Sequence, residues 1–200
     1  MHLQEESTMP SFIEVYHNTI QPKDCQQIIH HFEQDPNHKI GGVGNARVDI
    51  SVKDTTELNL FFTQDNQYND LIVDSLNECI KQYDKTYPFL AQLSQWILAP
   101  GYNIQRYHDG QGYHRLHCEH EASGEASTRI MAWMIYLNDS PCGTEFPYQK
   151  ITTNATEGDC LIWPAAWTHP HKGVTPNQGT KYIATGWIEF SKMNDILVAE

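Results

Sequence analysis

Apolar positions follow a helical period in the first half of the chain and short strand-like runs in the second. Cys25, Ile28, Ile29 and Phe32 recur at i, i+3, i+4 and i+7, the stripe of an amphipathic helix. Pro22 stands just ahead, where a first-turn proline forgoes no helical hydrogen bond, and Asp35-Pro36-Asn37 ends the segment. Leu71, Ile72, Leu76, Cys79, Ile80 and Tyr83 repeat the pattern, with Pro88 beyond as a stop. Phe12 to Tyr16 reads as a short strand. Ala46 to Val52 reads as another, after a polar stretch containing Gly41, Gly42 and Gly44.

After Trp96 the texture changes. Runs rich in Ile, Tyr, Trp and Thr alternate with turn chemistry such as Pro100-Gly101, Asp109-Gly110 and Glu157-Gly158. The predicted strands are 96–108, 112–120, 129–137, 144–151, 158–163, 169–174 and 181–190. Short strands at this spacing imply a sandwich, jelly roll or barrel. Ile130 to Leu137 is almost wholly apolar, so it should be a central strand covered on both faces. The expected class is mainly β, with N-terminal helices packed on the outside of the sheet. No linker or repeat divides the chain, so residues 1–200 read as one domain. Within it, 1–95 would be a helical and strand support region and 96–190 the β core.

Composition narrows the function classes. With 40% hydrophobic and 19% charged residues, the chain is globular and not disordered. The formal charge of -12 argues against a broad phosphate-binding surface, so nucleic acid is not an expected partner. Five cysteines without a CxxC pair disfavour a disulfide framework or a structural zinc site. The segment MHLQEESTMPSF carries acids and no apolar stretch of signal-peptide type. No run approaches the ~20 apolar residues that span a bilayer. These features lead us to expect a cytoplasmic protein with reduced thiols and no membrane partner, and an acidic, solvated N-terminal tail.

Histidine is the unusual count: eleven in all, six of them between His108 and His171. The stretch 101–121 contains His117-Cys118-Glu119. On a strand, residues i and i+2 share a face, so an imidazole and a carboxylate would stand side by side, with Cys118 directed away. His169 and His171 are candidates for a third ligand from another strand. Two histidines and one carboxylate on one face of a metal leave positions open for substrate and O2, as in non-haem Fe(II) oxygenases. Spacing alone leaves rivals: His114, His120, Glu121 and Asp109 as ligands, a three-histidine zinc site, or surface histidines on polar strands. Trp163, Trp167 and Trp187 could wall such a site or simply pack the core.

From Ile104 to Phe190 the chain resembles the Fe(II)/2-oxoglutarate-dependent dioxygenases of the prolyl 4-hydroxylase type. Gln105-Arg106-Tyr107 and Gly112-Tyr113 precede His117 as in that family, and Tyr136-Leu137-Asn138 resembles its YLN strand. Gly143-Thr144-Glu145-Phe146 is similar to its glycine turn, and Gly158 to Pro164 to its Gly-to-Pro strand. His171, with Lys181 ten residues later and Trp187 beyond, completes the register.

The resemblance implies a double-stranded β-helix (jelly roll) and three Fe(II) ligands, His117, Glu119 and His171. It implies that Lys181 pairs with the distal carboxylate of 2-oxoglutarate. Tyr136 would hydrogen-bond that carboxylate, and Tyr107 would lie over the cosubstrate. His169 would sit behind the ligands or line the pocket, although the adjacent pair leaves the distal ligand open between His169 and His171. The implied reaction consumes O2 and 2-oxoglutarate, yields succinate and CO2, and hydroxylates an unactivated C–H bond. L-ascorbate is a possible auxiliary reductant. The implied substrate is a prolyl residue of a peptide or protein; a free amino acid or small metabolite is the alternative, as is a non-catalytic jelly-roll binding protein. Two departures stand out. Glu119 replaces the family's usual Asp, and the basic residue is Lys, a point charge where Arg would form a fork.

Overall fold

The computed structural model describes residues 10–43, 47–64, 66–93, 95–122 and 124–191. The element order is β1 (Glu14–Tyr16), α1 (Pro22–Gln34), β2 (Lys39–Ile40), β3 (Lys53–Asp54), β4 (Thr56–Phe61), α2 (Asn69–Thr86), β5 (Trp96–Tyr107), β6 (Gly112–Tyr113), β7 (Arg129–Tyr136), β8 (Thr144–Phe146), β9 (Ile151–Thr152), β10 (Cys160–Pro164), β11 (Lys172–Gly173) and β12 (Lys181–Phe190). The main sheet runs β1-β10-β7-β12-β5-β4-β2, and its neighbours pair antiparallel. A smaller sheet, β11-β8-β9, covers one face. An isolated bridge between His117 and His171 extends it towards the strand pair β3-β6. Two facing antiparallel sheets of this connectivity are a jelly roll, as expected.

Alternation along the strands separates two cores. On the outer face of the main sheet, Met131, Trp133 and Ile135 of β7, Tyr102 and Ile104 of β5, and Leu58 and Leu60 of β4 meet α1 and α2. On the inner face, Ala132 and Tyr136 of β7, Trp163 and Ile183 pack against Phe146 of the smaller sheet. The Phe146 and Trp163 rings meet edge-on, with centroids 5.5 Å apart. The strand read as doubly covered is therefore β7, and the helices lie outside the sheet. β12 crosses Trp133 at Gly186, where a Cβ would come within 2.6 Å of the indole. Only glycine allows that approach.

Three strand expectations need correction. Ala46 to Val52 is not a strand. Ala46 lies outside the described residues, and Arg47 makes only an isolated bridge to Val43. Asp49 Oδ1 accepts hydrogen bonds from the Ser51 amide and hydroxyl, a local turn that competes with the sheet. Val48 and Ile50 are left 53% and 59% exposed. The strands of this region are instead β3 and the unanticipated β4. The β4 sequence alternates as a strand should, but its inward residues Glu57 and Asn59 are polar and masked the signal. The 144–151 run is a hairpin of β8 and β9, with Lys150 at φ 56° in the turn. Only Gly112–Tyr113 of the 112–120 run is ladder-paired, because the chain then bends to bring His117 to His171. The N-terminal acidic segment through residue 9 lies outside the described residues.

Candidate active site

The bridge between His117 and His171 assembles the centre. The two residues exchange backbone hydrogen bonds, His117 N to His171 O at 3.0 Å and His171 N to His117 O at 2.8 Å. Residues 54 apart in sequence are thereby held side by side. Glu119 follows two positions on, and its amide donates to Ala165 O at 3.0 Å. Its Oε1 lies 3.4 Å from His117 Nε2 and 3.2 Å from His171 Nε2. Among the described residues, His117, Glu119 and His171 are the group of three whose ligand atoms all fall within 4.8 Å of one another.

Each imidazole is oriented by its other nitrogen. His117 Nδ1 donates to Arg115 O at 3.0 Å, and His171 Nδ1 donates to His169 O at 3.0 Å. A carbonyl only accepts, so Nδ1 carries the proton and Nε2 keeps its lone pair for a metal. The rings are fixed by packing. Tyr113 stacks on His117 with centroids 3.5 Å apart, and Trp163 and Phe146 flank His171. Burial acts to raise the Glu119 carboxyl, but so long as protons and no metal occupy the Nε2 atoms, hydrogen bonds and charge from His117 and His171 outweigh it and hold the group well below the usual range. Donors about 2.1 Å from a common ion and at right angles lie ~3 Å apart. Two neutral imidazoles and one carboxylate at these separations fit a divalent cation.

The extra methylene of Glu119 is accommodated by two groups on its other oxygen. Trp187 Nε1 donates to Oε2 at 2.8 Å. Arg129 Nη1 lies 3.7 Å from Oε2 and donates to Glu119 O at 3.3 Å. The guanidinium stacks over the Trp187 ring at 3.6 Å. Oε1 is thus left facing the histidines. Trp187→Phe removes the hydrogen bond while keeping an aromatic under Arg129. Fe(II) affinity should fall ~10–100-fold, the usual cost of losing such a partner. Isothermal titration of the metal checks this; unchanged affinity would show that Glu119 needs no anchor.

Beside the centre lies Lys181, 4% exposed. Its Nζ donates to Val174 O at 3.2 Å and Gly143 O at 3.4 Å, and it sits 5.3 Å from the Tyr107 ring centroid. No carboxylate of the described residues pairs with it, and burial pulls the ammonium down to about 8. A buried ammonium facing only carbonyls and an aromatic face invites an anion. Tyr107 forms part of the same wall, with its hydroxyl donating to Gln105 Oε1 at 2.7 Å. Tyr136 is set behind that wall. Its hydroxyl lies 2.9 Å from both Thr144 Oγ1 and Thr153 Oγ1, and Thr144 is the residue that reaches the cavity.

The triad, Lys181 and Tyr107 open on one cavity of about 950 Å³, at the upper end of small-molecule sites. Trp163 and Trp187 line it, whereas Trp167 is 75% exposed and does not. His169 is not a lining residue. Its Nε2 donates to Ser11 O and its Nδ1 accepts from Thr168 Oγ1, both at 2.9 Å, and burial lowers its pKa. It fastens the chain around Ser11 to the back of the site. Cys118 is half-buried and reaches the cavity edge; His114 and His120 are exposed, away from the triad. Sequence reading missed Arg129, Thr144 and the Lys53–Glu57 pair. Arg129 had one signal, a cation opening an otherwise apolar strand.

The model of the 2OG-Fe(II) oxygenase superfamily matches residues 102–189. The triad, Lys181 and Tyr107 all fall within the segment that resembles that superfamily. Its cofactor is Fe(II) and its cosubstrates are 2-oxoglutarate and O2, which the donor set and the buried Lys181 suit. No curated protein sequence matches significantly. Solved structures share the fold of this oxygenase at low identity. A viral collagen prolyl hydroxylase from Paramecium bursaria Chlorella virus-1, in complex with 2OG, is 16% identical with TM-score 0.66, over 90% of this chain and 97% of that one. A Pseudomonas putida prolyl-4-hydroxylase is 12% identical with TM-score 0.67, over 90% and 93%. A Trichoplax adhaerens prolyl hydroxylase, in complex with a hypoxia inducible factor peptide fragment, is 11% identical with TM-score 0.66, over 95% and 88%. No described helix is long and apolar enough to cross a membrane.

Proposed function

We propose that this oxygenase binds Fe(II) through His117, Glu119 and His171, anchors 2-oxoglutarate at Lys181, and hydroxylates a C–H bond of a prolyl residue in a peptide or protein. The observation that carries the reading is the three-donor cluster sharing one cavity with a buried, carboxylate-free Lys181. A protein that kept only the fold would have no reason to maintain both. The prolyl assignment draws on the likeness to prolyl hydroxylases.

Iron bound there would supply O2 activation and oxidative decarboxylation, so that 2-oxoglutarate, O2 and R–H become succinate, CO2 and R–OH. The protein's part is orientation and exclusion of water. Lys181 holds the distal carboxylate and Tyr107 covers it. Thr144, with Tyr136 behind, offers a hydroxyl on the same wall. Ascorbate would restore Fe(II) after cycles that run without substrate. The reading treats residues 1–200 as a single domain, since α1 and α2 share the core of the main sheet. The five free cysteines suit a reducing, cytoplasmic setting.

The test is anaerobic titration of metal-free protein with Fe(II) and 2-oxoglutarate, followed by visible absorption. A weak charge-transfer band requiring both additions is expected. Iron binding without the band would sink the cosubstrate assignment.

A further inference from the structure

The cavity extends well past the metal centre along the inner face of the main sheet, and the β4–β5 side of that extension is polar, with Ile40, Val43 and Val48 also lining it. β4 presents Glu57 and Asn59 on this face, and β5 presents Asn103 and Gln105 directly across, Glu57 opposite Gln105 and Asn59 opposite Asn103. Such a face normally packs a core; here it lines open space. Lys53 and Glu57 form an ion pair, both more than nine-tenths buried. Gln105 Nε2 donates to Glu57 Oε1 at 2.6 Å while its own Oε1 accepts from the Tyr107 hydroxyl. Gln105 therefore has one permitted orientation, and Glu57 accepts as a carboxylate.

The arrangement is asymmetric. Lys53 and Gln105 both address Oε1. Glu57 Oε2 receives no hydrogen bond from any described residue, yet it is not sealed from the cavity. A carboxylate oxygen that faces the cavity with no protein donor is free to accept from whatever enters it. One strand step away, the Asn59 amide donates to Asn103 Oδ1. One amide pairing with the other leaves a carbonyl on Asn59 and an NH2 on Asn103. Reversing both amides still leaves one acceptor and one donor. That pair complements a secondary amide, with its N–H and C=O.

We infer that the β4–β5 wall is the substrate-recognition subsite, that Asn59 and Asn103 clamp a backbone amide, and that Glu57 Oε2 receives a substrate N–H. The ligand class is an amide-bearing chain, a peptide, and not a free amino acid or a hydrocarbon. The inference rests on the oxygenase reading given above. Lys53 and Gln105 are positioning residues; they hold Glu57 in place, and Gln105 ties it to Tyr107 beside the cosubstrate anchor.

The experiment supplies the Fe(II)-loaded protein with 2-oxoglutarate and O2. It offers a pool of blocked pentapeptides with central proline and randomised flanks, or an equimolar mixture of free amino acids, and reads the gain of one oxygen by mass spectrometry. The wild type should oxidise the peptides. The Asn59→Ala/Asn103→Ala double variant and Glu57→Gln should each lower peptide kcat/KM about tenfold or more through KM. The KM for 2-oxoglutarate and the anaerobic charge-transfer band should stay unchanged. Asn59 is exposed and Asn103 only partly buried, so their variant keeps the test open if Glu57→Gln fails to fold. Oxidation of free amino acids and not peptides overturns the inference. So does unchanged peptide kcat/KM in the asparagine variant, or oxidation of neither mixture while the band persists. Loss of the band in the wild type would instead condemn the reading of the metal centre.

Discussion

His171→Ala abolishes Fe(II) binding and 2-oxoglutarate turnover, whereas His169→Ala keeps both and loses stability. The two residues are separated by one proline yet serve opposite sides of the chain. His171 turns its Nε2 to within 3.2 Å of Glu119, and its ring is held between Trp163 and Phe146. Removing it takes away one of three donors, which should cost more than the ~10–100-fold lost with an outer-shell partner. Turnover should fall to background. His169 addresses Ser11 O and Thr168 instead. Its loss leaves the partly buried Ser11 carbonyl without this partner, costing about 1 kcal/mol. A chain this long shifts in Tm by roughly 2–4 °C per kcal/mol. Its support of His171 is through its backbone carbonyl, which alanine retains. Metal titration, succinate release and thermal melts of both variants decide the matter. Equal loss of Fe(II) binding in the two would refute the assignment.

The second large effect is a trade between stability and binding at Lys181. Its buried ammonium titrates near 8 against an ordinary 10.5, a difference worth about 3 kcal/mol against the folded state. The unfolded chain binds more protons between pH 8 and 10.5, so stability rises with pH across that window, and below 8 the full penalty applies. Lys181→Met removes the charge and fills similar volume, though it leaves two carbonyls without their donor. Without cosubstrate at pH 7 the variant should melt at the same temperature or a few degrees higher. Its advantage should shrink as pH rises from 8 to 10.5, while KM for 2-oxoglutarate rises by about 100-fold or more. In the wild type that KM should climb above pH 8, as the anchor loses its proton. A lower melting temperature for the variant at pH 7, with KM unchanged, would mean that Lys181 is a structural group.

The legible parts of this protein were those where chemistry and period coincide. The helical stripe of Cys25, Ile28 and Phe32 became the buried face of α1, and the apolar run at Ile130 became the doubly covered β7. The i, i+2 spacing of His117 and Glu119 did put both side chains on one side. The bridge to His171 is irregular backbone, and alternation says nothing about which of two adjacent histidines it would present. β4 was illegible for a related reason. Its inward side chains are polar because they face a cavity, so the hydrophobic signal is weakest where the subsite lies. Val48 and Ile50 mimic a strand, but Asp49 and Ser51 divert the backbone into a turn. Arg129 and Trp187 lie 58 residues apart, and only the fold joins them over Glu119.

The paired backbone bonds between His117 and His171 have a consequence for how the protein acquires iron. The entropy of bringing two distant ligands together is met by the sheet during folding and not by the metal. Metal uptake is then a docking event on a finished structure, unlike a zinc finger, whose fold waits for its ion. A chelator should empty such a site and leave the far-UV spectrum unaltered. The active fraction in a cell would follow iron supply reversibly, with no refolding needed to restore it.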